Sequence, residues 1–159
     1  MAHSWALMAA LALAAPGDLA QGIALYQNGK YAEAEAELRE VPGVEACAYR
    51  AAALVRLERY LEAETEAKAV LAETPTQPIA VAALGETLVK QGKLDEAVER
   101  MTAALAAKAD LGYAYYWRGQ SRQRKQQIAR MVDDYQSFLR LEPQAPEAAA
   151  LNALLAGLR

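Results

Sequence analysis

GKLDEAVERM, residues 92–101, has a counterpart upstream in GKYAEAEAEL, residues 29–38, and a looser one in ERYLEAETEA, residues 58–67. The recurrence extends past these ten residues. Ala63 and Ala97 stand 34 residues apart, and the same step joins Pro75, Ala109 and Pro143, joins Ala51, Gly85 and Gly119, and joins Pro78 to Gly112. From Ala34 to Ala63 the step is 29, because REVPGVEA closes the first unit early. Self-similarity at a fixed period of this size indicates an array of supersecondary units.

The third unit shows what one copy builds. In PIAVAALGETLVKQ, Pro78 occupies the first helical turn, where its missing N–H costs nothing. Ile79, Ala82, Leu84, Leu88 and Val89 follow at helical spacing, and Gln91-Gly92 ends the segment with a residue suited to a left-handed cap. KLDEAVERMTAALAAK then resumes helix, with Leu94, Ala97, Val98, Met101 and Leu105 on one side. Small residues pair across the hairpin, Gly22 with Ala34, Ala51 with Ala63 and Gly85 with Ala97, which predicts close helix contact within each unit. Glycine inside a helix costs about 1 kcal/mol relative to alanine, so its recurrence at one column implies a packing reason. One hairpin cannot bury its apolar faces alone, and stacking on the next copy does so.

These features resemble the tetratricopeptide repeat family: the 34-residue period, Gly-Lys-Tyr/Leu-x-x-Ala between helices, the small residue in the first helix and the closing proline. The resemblance covers residues 16–143. It implies an all-α, right-handed superhelical array of hairpins: a shortened repeat 1 over 16–44, repeats at 45–77, 78–111 and 112–144, and a capping helix over 145–159 that carries Leu151, Leu154, Leu155 and Leu158. The fourth unit matches at Gly119, Tyr135, Phe138 and Pro143. It departs at Gln126-Gln127, where the turn glycine is missing and a looser turn or wider hairpin is expected, and at Met131, where alanine is usual.

Composition agrees. The chain has 159 residues, 54% hydrophobic and only 7% aromatic, with alanine prominent, as in closely packed helices. The formal charge of −3 gives no general attraction to nucleic acid or acidic membranes. Cys47 is the only cysteine, read as a small packed hydrophobe, and His3 the only histidine, which disfavours a histidine-based metal site or nucleophile. Residues 1–15, MAHSWALMAALALAA, have two readings. One is an export signal ending at Ala12-Leu13-Ala14, with the mature repeat helix starting at Pro16 and a periplasmic or secreted location. The other is a covering helix capped by Ser4, with a cytoplasmic location.

In the family the first helix of each unit lines a concave surface that grips a peptide or helix. Carried over, that face comprises Leu19, Ile23 and Tyr26; Ala48, Ala52, Val55 and Arg56; Ile79, Ala82, Glu86, Val89 and Lys90; and Tyr113, Tyr116, Gln120, Gln123 and Arg124. Arg56, Lys90 and Arg124 recur at 34 residues and form a basic row, either a recognition edge or cations at helix C-termini. The recognition reading favours an apolar partner segment with acidic residues. Of the four adjacent aromatics, Tyr115 and Trp117 are expected inside and Tyr113 and Tyr116 on the groove. The chaperone-tail clamp of some family members is absent, since its columns hold Leu19, Ile23, Ile79 and Ala83.

The stretch 118–130 carries Arg118, Arg122, Arg124, Lys125 and Arg130 without an acid. It reads chiefly as a solvated face; nucleic acid is disfavoured and an anionic membrane surface is a weak alternative. Carboxylate pairs such as Glu33 with Glu35 and Asp133 with Asp134 are expected on exposed positions, and no glycine-rich phosphate loop occurs. Neither an enzyme nor a cofactor is expected. The chain reads as a protein-binding scaffold or adaptor, and alternatively as a self-assembling structural protein that forms oligomers or coats a filament or membrane-associated assembly.

Overall fold

The computed structural model describes residues 17–158, and every regular element among them is helical. The two readings of residues 1–15 lie outside the described residues. Four hairpins follow one another: α1 (Leu19–Gln27) with α2 (Tyr31–Arg39), α3 (Val44–Arg56) with α4 (Tyr60–Glu73), α5 (Pro78–Lys90) with α6 (Leu94–Ala107), and α7 (Gly112–Arg124) with α8 (Ile128–Leu141). A ninth helix, α9 (Ala148–Gly157), packs on α8. The first helix begins at Leu19 rather than Pro16, because the Asp18 carboxylate accepts from the Ala20 and Gln21 amides and fixes the start there.

The hairpin turns are alike. In each, one residue takes positive φ: Gly29 at 76°, Glu58 at 58°, Gly92 at 75° and Gln126 at 58°. The next amide reaches back five residues to a helix carbonyl, as Lys93 N does to Leu88 O and Gln127 N to Arg122 O, both at 2.9 Å. The looser fourth turn expected from its missing glycine is therefore not found. Two hydrogen bonds hold Gln126 in the left-handed region as firmly as they hold Gly92.

Helices α1, α3, α5 and α7 pack on one another in succession, whereas the backbones of α2, α4, α6 and α8 stay apart and only long charged side chains bridge them. The odd helices thus form the crowded inner layer and the even helices the outer one. Between the layers lie the columns of small residues, with Ala34, Ala51, Ala63 and Ala97 fully buried. The glycines need one correction. Gly22 and Gly119 do admit their own hairpin partners, Leu38 and Tyr135, but Gly85 makes room for Trp117 of the next unit. Trp117 thereby joins two core clusters, one around Leu84 and Leu88 and one around Val81 and Met101.

Charge ties the units together in a pattern the sequence reading did not draw. Arg59 reaches Glu35 of the preceding unit at 3.5 Å, and Lys93 reaches Glu64 of the preceding unit at 2.7 Å. Lys68 joins Glu96 at 2.8 Å, and Lys125 joins Asp95. Two carboxylates expected to be exposed are instead buried. Glu35 is covered and receives Arg39 at 2.7 Å, and Asp134 is 1% exposed beneath Arg118 and Arg122, each at 2.8 Å. Arg118 also lies 5.4 Å from the centre of the Tyr115 ring. Much of the 118–130 basic stretch is thus engaged in holding α7 against α8 and α6. Cys47 is partly buried against Ala48, Val70 and Ala80.

Candidate binding groove

The inner layer opens into a pocket of about 290 Å³ to which all four units contribute. Helix α1 gives Tyr26, and α3 gives Ala52, Val55 and Arg56. Helix α5 supplies the floor with Pro78, Ile79, Ala82, Ala83 and Glu86, and α7 gives Tyr113 and Trp117. Glu147, just before α9, closes the far side.

Eight of the residues expected on the groove line this pocket: Tyr26, Ala52, Val55, Arg56, Ile79, Ala82, Glu86 and Tyr113. The others fall elsewhere. Leu19 and Ile23 are half-buried on α1 outside it, and Val89, like Ala48, lies in the core. Lys90 is exposed and outside the pocket. Tyr116 packs beside the pocket, edge-on to Tyr113 at 6.0 Å and against Phe138 at 5.1 Å, and receives a hydrogen bond from Gln120 at 3.2 Å. Gln123 is turned into its own hairpin, accepting from Tyr135 at 2.6 Å. The half-buried Trp117, placed inside by the sequence reading, serves both core and pocket wall.

The basic row has internal partners at two of its three positions. Arg56 donates to Glu86, and Arg124 donates to the Val89 carbonyl at 2.8 Å, satisfying the last turn of α5. Burial pushes the Glu86 carboxyl up, and the Arg56 and Lys90 charges only partly offset that. Tyr113 donates to Glu147 at 3.2 Å, and burial together with the Glu147 and Glu142 charges pushes its phenol up to about 12. Burial likewise raises the Tyr26 phenol against the opposing pull of Arg56.

Pro78, Ala83, Trp117 and Glu147 are the lining residues that sequence reasoning missed. The 34-residue step finds the last of them: Ile79, Tyr113 and Glu147 occupy one column, as do Pro78, Gly112 and Pro146. The repeat register therefore runs through to the start of α9.

Residues 54–123 match the tetratricopeptide repeat model. The matched stretch, from the end of α3 into α7, thus has the tetratricopeptide repeat pattern. The array superposes on a thermophilic tetratricopeptide repeat protein of Thermus thermophilus with a TM-score of 0.77, at 22% identity, covering 88% of this chain and 80% of that one. MamA from Desulfovibrio magneticus RS-1, residues 41 to the end, gives a TM-score of 0.62 at 23% identity, over 88% and 87% of the two chains. YrrB, described as a tetratricopeptide repeat protein with an unusual peptide-binding site, gives 0.66 at 18% identity, over 83% and 71%. At these identities the likeness is one of fold. No curated protein matches the sequence.

Proposed function

We propose that the array is a non-catalytic scaffold that holds an apolar segment of a partner protein in the inner pocket and so assists assembly of a complex. One observation carries this reading: four separate units contribute mostly apolar and aromatic side chains to a single open pocket on the crowded face. Binding pockets have this composition, apolar walls with a few placed polar groups. That tetratricopeptide repeats generally serve as a protein-interaction fold adds to it, as does the peptide-binding site for which YrrB is named.

The test is to pan a displayed library of random twelve-residue peptides on the wild type and on Ala82→Trp, which fills the pocket without altering charge. The proposal requires peptides that bind the wild type and are lost from the variant. Peptides retained by both, or none at all, refute it.

Self-assembly through the ends of the array is the second reading. It is favoured by α9, which exposes Ala149, Ala150, Ala153 and Ala156 together with Leu158. Sedimentation over a range of concentrations separates the two, since the scaffold reading needs no self-association.

A further inference from the structure

Resting on that binding reading, we propose that the pocket selects a basic residue, a lysine or arginine carried in an otherwise apolar segment of the partner, with its cation against Glu147 and Glu86. The sequence alone favours an acidic partner, on the strength of Arg56, Lys90 and Arg124. The geometry removes the ground for that preference. Only Arg56 lines the pocket, and it is engaged by Glu86; Arg124 is engaged by the α5 carboxyl end, and Lys90 stands outside.

What remains is a negative excess. Two carboxylates and one guanidinium line the pocket; Lys90, outside it, acts on Glu86, whereas Glu147 meets a phenol rather than a cation. Tyr113, which lines the pocket, feels the Glu147 charge first and that of Glu142, outside the pocket, less. A carboxylate entering here would face Glu147 with no unpaired cation among the described lining residues. A lysine or arginine would instead find a charge partner in a partly desolvated site, where Coulomb attraction is stronger than in water. The walls suit such a side chain along its length. Its aliphatic stem can lie on Ile79 and Ala82 while its head approaches the faces of Tyr26, Tyr113 and Trp117, rings that attract cations.

Sequencing the peptides selected above, and panning Glu147→Gln and Glu147→Lys in parallel, tests the proposal. Pocket-dependent peptides, those lost on Ala82→Trp, should be enriched in lysine or arginine. Replacing that residue by norleucine in a synthetic copy should weaken binding roughly tenfold. Glu147→Gln should erase the basic preference, and Glu147→Lys should turn it toward aspartate and glutamate. Wild-type-like melting curves for both variants establish that the array is folded. Pocket-dependent peptides without a basic preference, or with an acidic one, overturn this inference and leave the binding reading standing. If no peptide depends on the pocket, both fall.

Discussion

A Cβ atom on Gly85 would stand 2.7 Å from Cβ of Trp117, closer than two such atoms can approach. The indole of one unit fills the space of a side chain absent from the unit before it. Gly85→Ala should therefore destabilise the array by about 1–3 kcal/mol, although alanine favours helix, because the crowded atom belongs to the root of the tryptophan and not to a flexible tip. Gly157→Ala, with open space around it, should be neutral or stabilising by up to about 1 kcal/mol. Urea midpoints for the two variants check the opposite signs.

Glu58 and Gln126 hold the left-handed turn position that Gly29 and Gly92 hold elsewhere. A side chain there costs roughly 1–2 kcal/mol, and glycine returns part of that as unfolded-state entropy. Gln126→Gly should raise stability by about 0.5–1 kcal/mol, and Glu58→Gly similarly, seen as a higher Tm. Unchanged or lower values would mean that hydrogen bonding alone has relieved the strain.

Asp134 is buried beneath two arginines, and an asparagine there removes the charge and turns one acceptor oxygen into an NH2 group facing a guanidinium. Asp134→Asn should cost about 3 kcal/mol or more, the range for breaking a buried pair by deleting one partner. The exposed neighbour supplies the control: Asp133→Asn should stay within about 0.5 kcal/mol of the wild type. Denaturant titration reads both.

Burial alone would raise the Glu64 carboxyl, but hydrogen bonds from Lys68 and Lys93 outweigh it and hold the group at about 2, below its ordinary 4.5. An acid depressed on folding stabilises the native state fully above its unfolded pKa and loses that contribution as pH falls through its folded value. The stability difference between wild type and Glu64→Gln should thus be complete at neutral pH and shrink between 4.5 and about 2. Chemical denaturation at stepped pH measures it. Glu86, raised rather than lowered, carries the opposite sign, and it is common to both proteins, so it cancels from the difference.

The helices and the positions of their turns were legible because the period is a local signal repeated along the chain, but the tightness of the fourth turn, which lacks a glycine, was not. The shortened first unit is equally visible, its two helices spanning nine residues each where later second helices span fourteen. What escaped was the direction in which polar side chains reach. Nothing local in RGQSRQRK says that Arg118 and Arg122 converge on Asp134, or that Arg124 crosses to α5, since those partners sit 12 to 35 residues away. The groove followed the same rule. Its apolar floor came from periodicity, while its charge balance depended on Arg56 meeting Glu86 and on Glu147 arriving from beyond the fourth hairpin.

The ion pairs that link neighbouring units, Arg59 with Glu35, Lys93 and Lys68 with Glu64 and Glu96, and Lys125 with Asp95, all include at least one partly solvated partner. Each spans a joint between neighbouring hairpins. Screening by salt weakens such pairs while leaving hydrophobic packing in place. The charged contribution to the joints between units should therefore fall as ionic strength rises, while the apolar packing between the helices keeps its share.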